Sequence, residues 1–221
     1  MPLRQLKERR LARLRGLYAI VDASARRPPL ELAAAFLRGG AAVVQLRLKD
    51  LGARELLGVA REAAAMCRQR GALLVVNDRP DVARAAGADG VHLGQEDLPV
   101  EAARAVLGDD ALIGLSTHSD AEIDAALAAG ADYLGFGPIF ATRSKSGAPL
   151  PPPHGLAGLA RAVQRAGAVP VVAIGGLTAA TASGVAKSGA ACAAAIGELC
   201  LSPDPQTAAR AMAEAFARGA E

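Results

Sequence analysis

Polar side chains follow several short apolar runs of this chain, at positions where an alternating strand–helix fold would carry its reactive groups. After the second run come Gln45, Arg47 and Lys49, whose every-other-residue spacing puts the three side chains on one face of a strand. Asn77 follows the third run and Ser116 follows the fifth. Cations beside neutral hydrogen-bond donors bind phosphate oxygens well, so these runs predict an anion site.

Two carboxylates stand next to that predicted site, Asp78 after Asn77 at the end of the third apolar run and Asp97 after the fourth. Mg²⁺ prefers oxygen ligands and is commonly held through one or two carboxylates together with substrate phosphates. The cations expected to share the anion are Arg47, Lys49 and Lys145. The sequence therefore predicts a Mg²⁺-assisted diphosphate site. Alternatively, each aspartate caps the helix that follows it, and the Gln-x-Arg-x-Lys segment is a solvated strand edge.

A second anion site is predicted after the seventh run, where Gly175 and Gly176 offer backbone N–H groups. Barrels of alternating strands and helices often bind a monophosphate there, although paired glycines also occur in plain turns. His118 follows the fifth run and is the candidate acid or base, with support of a neighbouring group as the alternative role. His92 is interpreted as a satisfied histidine of the core or rim.

Eight short apolar runs alternate with stretches of helical spacing, and these elements must position the polar side chains. The runs cover residues 17–21, 42–46, 73–76, 90–92, 112–115, 133–136, 170–174 and 192–196. The helical stretches cover residues 29–38, 53–69, 80–86, 99–106, 119–129, 154–166, 178–188 and 204–218. Eight such units predict an α/β fold, a (β/α)₈ or TIM barrel, as a single domain over residues 1–221. A doubly wound open sheet is the alternative.

The charge of the chain is concentrated at its N-terminus. Residues 1–15 carry a net charge of +5 and the remainder carries −2. The spacing predicts a short basic amphipathic helix over residues 3–15 that caps the bottom of the barrel or frays as an arm, with a membrane-binding or partner-binding helix as the alternative. Because the body is nearly neutral and the chain is only 3% aromatic, nucleic-acid binding is not expected.

The lengths of the apolar runs and the spacing of the cysteines indicate the cellular compartment of the protein. The longest apolar runs fall well short of the roughly 20 residues of a membrane-spanning helix, so no membrane segment is expected. Cys67, Cys192 and Cys200 form no C-x-x-C pair and are interpreted as free thiols in a reducing compartment. The cytoplasm is therefore the expected location, and the sequence leaves open whether the barrel forms a homodimer.

Ordered motifs between residues 17 and 199 resemble those of the thiamine-phosphate synthase family. The motifs are Gln45-Leu46-Arg47-Leu48-Lys49, Val76-Asn77-Asp78-Arg79, residues 88–97, Ser116-Thr117-His118, Gly137-Pro138-Ile139-Phe140 with Thr142-Arg143-Ser144-Lys145, and Ala173-Ile174-Gly175-Gly176. The resemblance implies a (β/α)₈ barrel that joins hydroxymethylpyrimidine diphosphate to a thiazole phosphate. Thiamine phosphate and diphosphate would be the products, and both substrates are small molecules.

The resemblance also implies three sets of site residues. The pyrimidine diphosphate would be held by Gln45, Arg47, Lys49, Asn77, Ser116 and Lys145. Mg²⁺ would be bound by Asp78 and Asp97. The thiazole phosphate would be held by Thr142, Arg143, Ser144, Gly176, Ile196 and Gly197. Catalysis would rest on Lys145, Ser116, Arg47 and Lys49, which stabilise the departing diphosphate in a dissociative substitution.

Two positions depart from the family pattern. Gly197-Glu198 stands where a serine usually follows the eighth strand, and Ser144 replaces the second threonine of the Thr-x-Thr-Lys motif. The lost hydroxyl and the added charge of Glu198 are expected to weaken the thiazole-phosphate site.

Three other functions stay open for the same barrel. They are a thiazole tautomerase with His118 as acid and base, a non-catalytic barrel that binds thiamine precursors, and a sugar-phosphate isomerase. The two aspartates and the cationic strand face favour the synthase, because a tautomerase has no diphosphate to hold.

Overall fold

The computed structural model describes residues 3–142 and 152–221. Within them, eight parallel strands close into a barrel in the order of the sequence, so the predicted TIM barrel is confirmed and the open sheet is wrong. The strands are β1 (Gly16–Asp22), β2 (Val43–Arg47), β3 (Leu73–Asn77), β4 (Gly90–Leu93), β5 (Leu112–Thr117), β6 (Tyr133–Phe136), β7 (Val171–Ile174) and β8 (Cys192–Ala195). Pairing of β8 with β1 closes the barrel.

Ten helices lie within the described residues. They are α1 (Leu3–Arg13), α2 (Pro29–Arg38), α3 (Ala53–Arg70), α4 (Pro80–Ala86), α5 (Val100–Leu107), α6 (Asp120–Ala128), α7 (Gly155–Ala166), α8 (Ala179–Lys187), α9 (Gly197–Cys200) and α10 (Pro205–Ala220). All except α1 and α9 follow the predicted helical stretches closely. Helix α1 is the predicted basic helix, and α9 is a one-turn helix that the sequence did not predict. No helix among residues 3–142 and 152–221 is both long and apolar enough to cross a membrane.

The strands are apolar because the barrel buries both of their faces. Every residue from Leu73 to Val76 in β3 is fully buried, and β2 and β6 are buried almost throughout. Side chains of one face fill the barrel and those of the other pack against the helices. Several helices end at a glycine in the left-handed conformation, such as Gly87 after α4, and the chain then turns into the next strand.

Helix α1 lies across the amino-terminal end of the barrel, opposite the strand ends that carry the predicted site. Arg10 donates to the Oδ1 atom of Asp89 over 2.9 Å and to the backbone oxygen of Asp110 over 2.7 Å. Arg13 donates to the oxygen of Gly71 over 2.6 Å, and Lys7 pairs with Asp132. These contacts place α1 against the bottom of the barrel, where the interpretation as a cap expects it.

Candidate active site

Two adjoining cavities open at the carboxyl ends of the strands. The "polar cavity", about 110 Å³ in volume, is lined by Gln45, Arg47, Lys49, Asn77, Asp78, Asp97, Ser116 and neighbouring barrel residues. The "glycine cavity", about 310 Å³, is lined by Gly137, Gly175, Gly176, Gly197, Glu198 and neighbours. His118, Ile174, Ala194 and Ile196 line both cavities, so the two are in direct contact.

The structure brings the predicted site residues together in two groups. The predicted pyrimidine-diphosphate and metal residues that it describes line the polar cavity: Gln45, Arg47, Lys49, Asn77, Ser116, Asp78 and Asp97. The predicted thiazole-phosphate residues that it describes line the glycine cavity: Thr142, Gly176, Ile196 and Gly197. Arg143, Ser144 and Lys145 lie outside the described residues.

Asp78 and Asp97 face each other at the mouth of the polar cavity. Asp78 has a φ of 62°, a left-handed backbone that is uncommon for a residue with a side chain and that often marks functional positions. Its Oδ2 atom lies 2.8 Å from the Nζ atom of Lys49. Burial, and then hydrogen-bonding contact with the Asp78 carboxyl, raise the pKa of Asp97. Two carboxyls crowded together in this way would be relieved by a cation between them.

Neither aspartate caps a helix. The residue that precedes α4 is Arg79 and the one that precedes α5 is Pro99, and no side chain caps either helix. Asp97 instead accepts a hydrogen bond from the backbone N–H of Gly94 over 2.7 Å, which fixes the carboxyl toward Asp78. The alternative interpretation of the two aspartates as helix caps is therefore wrong.

The carboxylate pair fits the ligand preference of Mg²⁺. Among residues 3–142 and 152–221, no cluster of three or more His, Cys, Asp or Glu side chains is placed to hold a metal ion. Mg²⁺ needs no such cluster, because it usually takes one or two protein carboxylates and fills its remaining positions with water and phosphate oxygens. The acidic pair beside Lys49 therefore suits a magnesium ion that arrives with a phosphorylated ligand.

Arg47 is held in place by an acidic residue that sequence reasoning missed. Asp22 ends β1 opposite Arg47, the last residue of β2, and the Nη1 atom of Arg47 lies 2.5 Å from its Oδ2 atom. Burial would raise the pKa of Asp22, but hydrogen bonds from Ser24 and Arg47 outweigh it and lower the pKa. Asp22 therefore stays ionised and orients the guanidinium toward the cavity.

Five side chains inside the barrel form a continuous hydrogen-bonded chain, here called the tyrosine network. The Gln45 amide nitrogen donates to the Tyr18 hydroxyl over 3.0 Å, and the Tyr18 and Tyr133 hydroxyls lie 3.0 Å apart. The Tyr133 hydroxyl lies 3.2 Å from His92 Nδ1, and His92 Nε2 lies 3.0 Å from the Ser116 hydroxyl. The interpretation of His92 as a satisfied histidine is confirmed, but its partners connect two predicted substrate-binding residues.

Two glycines make room for this network. A Cβ atom at Gly114 would lie 2.1 Å from the Tyr133 ring, and one at Gly135 would lie 2.9 Å from the ring of His92. Any larger residue at either position would push these rings out of the barrel interior. The pairing of Tyr133 with Gly114 on the adjacent strand β5 is the sequence signal that could have revealed the network.

His118 stands where the two cavities meet. Its Nδ1–H donates to the backbone oxygen of Gly137 over 2.5 Å, and its backbone N–H donates to the Oε2 atom of Glu122 over 2.8 Å. Because Nδ1 carries the proton in this arrangement, Nε2 of the neutral ring is an acceptor. The His118 ring therefore lies at the junction of the cavities with Nδ1 already engaged by a backbone oxygen.

The glycine cavity offers backbone groups and small side chains. Gly175 and Gly176 have φ angles of +100° and +65°, and a Cβ atom at Gly176 would lie 2.5 Å from the oxygen of Ala141. Only glycine fits there, so the backbone itself forms this wall of the cavity. Glu198 is exposed at the rim, where it adds a negative charge.

Comparison with known proteins gives consistent results. The sequence profile of the thiamine monophosphate synthase family matches residues 17–199. A thiamine-phosphate synthase from Anaeromyxobacter dehalogenans is 50% identical over 211 residues, covering 95% of this chain and 91% of that protein. A thiamine-phosphate synthase from Moorella thermoacetica is 45% identical over 192 residues, covering 87% of this chain and 90% of that protein.

Solved structures agree with the sequence relatives. The thiamine phosphate pyrophosphorylase of Pyrococcus furiosus superposes with a TM-score of 0.85 at 34% identity, covering 95% of this chain and 98% of that one. A 3-hexulose-6-phosphate synthase, at 23% identity and a TM-score of 0.63, covers 90% of this chain and 99% of its own and shows only the common fold.

Proposed function

The chain belongs to the thiamine monophosphate synthase family, and from this premise we propose how its two cavities divide the reaction between them. The activity is thiamine-phosphate synthesis, a transferase reaction. A hydroxymethylpyrimidine diphosphate and a thiazole phosphate combine to give thiamine phosphate and free diphosphate. The polar cavity takes the first substrate and the glycine cavity takes the second.

The observation that carries this assignment is the placement of Asp78, Asp97 and Lys49 together on the wall of the polar cavity, where Lys49 pairs with Asp78 over 2.8 Å. A diphosphate brings several negative charges, which the cations of Arg47 and Lys49 offset. The two carboxylates on the same rim would repel a bare diphosphate. A divalent cation between the carboxylates and the anion would turn this repulsion into attraction. Asp78 and Asp97 would hold that Mg²⁺, whose charge, when bound, offsets the charge of the diphosphate.

The chemical step needs charge stabilisation more than proton transfer. The bond from the pyrimidine methylene carbon to the diphosphate oxygen breaks, and its electron pair leaves with the diphosphate. The lone pair of the thiazole nitrogen then forms the new carbon–nitrogen bond, and no proton moves. Arg47, Lys49 and Ser116 stabilise the departing diphosphate from the polar cavity, and Lys145 is assigned the same role from the sequence.

The contact between the cavities supports a direct capture of the methylene carbon. The thiazole phosphate would lie in the glycine cavity, with its phosphate on the backbone of Gly176 and Gly197 and on Thr142. Arg143 and Ser144 are assigned to the same phosphate from the sequence. Holding both partners in adjoining cavities raises the effective concentration of the thiazole nitrogen at the reacting carbon.

A thiazole tautomerase is the second candidate, because His118 lines both cavities and its Nδ1 is held by the oxygen of Gly137. That reaction would leave the acidic pair and the cations of the polar cavity without a role. His118→Ala separates the two, since a synthase keeps most of its diphosphate release and a tautomerase loses its turnover.

The function is tested by mixing the purified protein with both precursors and measuring thiamine phosphate and diphosphate, with Mg²⁺ or with EDTA. Equal amounts of both products are expected only with Mg²⁺. Asp78→Asn is expected to abolish the reaction, and Asp109→Asn, an exposed aspartate before β5 at the opposite end, serves as the control. Product formation in EDTA, or by Asp78→Asn at the normal rate, contradicts the proposal.

A further inference from the structure

The tyrosine network connects two walls of the polar cavity through the barrel interior. Gln45 and Ser116 line the cavity at β2 and β5, and Tyr18, Tyr133 and His92 join them without a gap. Tyr133 is fully buried and Tyr18 is 2% exposed, so the two phenols, which also line the polar cavity, are hardly in contact with bulk water. A chain of this kind is ordered along its whole length, because each hydroxyl has only one proton to donate.

The direction of donation follows from the first link. The Gln45 amide nitrogen donates to Tyr18, so the Tyr18 proton is directed to the oxygen of Tyr133. In the tautomer of His92 that carries its proton on Nε2, the Tyr133 proton is then directed to Nδ1 and the Nε2–H donates to the oxygen of Ser116. The Ser116 hydroxyl thus already accepts within the network and has its own proton left for a group in the cavity.

The same ordering determines what Gln45 offers at the other end. Its amide nitrogen is engaged by Tyr18, and its carbonyl oxygen makes no hydrogen bond to any residue that the structure describes. The cavity therefore has an acceptor on the β2 side and a hydroxyl donor on the β5 side. If the amide turned over, every donor in the network would reverse, and Ser116 would donate to His92 instead of to the ligand.

The reaction develops charges that match these two ends. As the methylene–diphosphate bond breaks, the diphosphate oxygen becomes more negative and accepts more strongly. The positive charge spreads from the methylene carbon onto the neighbouring amino group of the pyrimidine, which then donates more strongly. A fixed acceptor for the amino group and a fixed donor for the leaving oxygen would stabilise the transition state more than the ground state.

We propose that the tyrosine network is a positioning device for this reaction: Tyr18, Tyr133 and His92 keep Ser116 as the hydroxyl donor to the departing diphosphate and Gln45 as the acceptor for the pyrimidine amino group. The inference rests on the proposed function, and it adds three residues of the cavity wall whose role is to orient Gln45 and Ser116. Burial raises the pKa of both phenols, so each keeps the proton that the ordering needs. The glycines at 114 and 135 preserve the space that the network occupies.

A double-mutant cycle with Tyr133→Phe and Ser116→Ala tests the proposal. The first variant removes one hydroxyl and keeps the ring, and the second removes the donor that the network is said to orient. Tyr133→Phe alone is expected to lower kcat for diphosphate release about tenfold, the value of one lost hydrogen bond. In the Ser116→Ala background the same change is expected to have less than a twofold effect. The KM for thiazole phosphate, which binds in the other cavity, is expected to stay unchanged in Tyr133→Phe.

Thr117→Val is the matched control. Thr117 is fully buried next to Ser116 on the other face of β5, and its hydroxyl donates to the oxygen of Gly135 over 3.2 Å. Loss of this hydroxyl is expected to leave kcat unchanged. A melting curve for each variant verifies folding. If Tyr133→Phe is unfolded, Tyr18→Phe breaks the network one link earlier, and its kcat is measured with and without Ser116→Ala in the same way.

The outcomes separate this inference from the function on which it rests. Equal losses from Tyr133→Phe in both backgrounds, or no loss in the wild-type background, overturn the network proposal and leave synthesis by the wild-type protein intact. A wild-type protein that makes no thiamine phosphate overturns the proposed function and the network role together.

Discussion

Replacing Asp97 by asparagine is expected to stabilise the metal-free protein while it abolishes turnover. The change keeps the shape of the side chain and an acceptor for the N–H of Gly94, but it removes one of two neighbouring negative charges. The raised pKa of Asp97 shows that the folded protein disfavours its ionised form. At neutral pH the ionised Asp97 therefore lowers the free energy of unfolding of the wild-type protein, and Asp97→Asn removes this loss.

The size of this effect follows from the charges at the mouth of the polar cavity. Two unit charges about 4 Å apart repel by about 1 kcal/mol in water and by about 4 kcal/mol at the effective dielectric of a protein surface. Lys49 lies 2.8 Å from Asp78 and cancels part of this repulsion. A gain of about 1 kcal/mol remains, which raises the melting temperature by about 2–4 °C for a chain of this length.

The pH dependence has a definite sign. Because the folded pKa of Asp97 lies above its unfolded value, the stability cost is fully present above the folded pKa. It fades as the pH falls through the folded pKa and disappears below the ordinary value of 3.8. The difference in melting temperature between Asp97→Asn and the wild type is therefore expected to be largest at neutral pH and to shrink in acid.

Thermal melts in EDTA from acidic to neutral pH measure this effect, with Asp109→Asn as the control for loss of one exposed carboxylate. Added Mg²⁺ and diphosphate are expected to raise the melting temperature of the wild type but not that of Asp97→Asn. A variant that melts at or below the wild-type temperature at neutral pH refutes the reasoning, because the carboxyl pair would then hold no repulsion for a metal to relieve.

Three further changes test other parts of the molecule. Arg10→Ala should lower the free energy of unfolding in urea by about 2 kcal/mol, because it removes charged hydrogen bonds to Asp89 and to the backbone oxygen of Asp110. It should leave kcat unchanged, because α1 lies opposite the site. A changed kcat would contradict the role of α1 as a cap. Gly197→Ser should lower the KM for thiazole phosphate severalfold by adding a hydroxyl to the glycine cavity, and an unchanged KM would place the phosphate elsewhere. Lys145→Ala should slow turnover far more than Lys187→Ala, an exposed change at the end of α8, and equal effects in a steady-state assay would show that Lys145 has no part in the site.

The barrel could be predicted from the sequence because its signals are local. A strand that is buried on both faces must be a short apolar run, and a glycine after a helix marks the turn into the next strand. Gly87 after α4 and Gly71 after α3 both adopt the left-handed conformation that such a turn requires. The helix α9 was missed because a single turn of four residues has no apolar period to detect.

The site was predictable in part, for a similar reason. Polar residues at strand ends are visible in the sequence, and barrel geometry brings them to one mouth. The partners of these residues are not visible, because they depend on strand register. Asp22 meets Arg47 only because β1 and β2 pair in the observed register. Tyr18 and Tyr133 look like core residues until the barrel places their hydroxyls 3.0 Å apart.

The central claim is that Asp78 and Asp97 together hold a divalent cation for the diphosphate, and metal binding tests it most directly. Mn²⁺ can replace Mg²⁺ as a probe, and its bound fraction can be measured by electron paramagnetic resonance with and without diphosphate. We expect one Mn²⁺ per chain in the presence of diphosphate, and none in the variant that carries both Asp78→Asn and Asp97→Asn. Unchanged Mn²⁺ binding by that double variant would contradict the account.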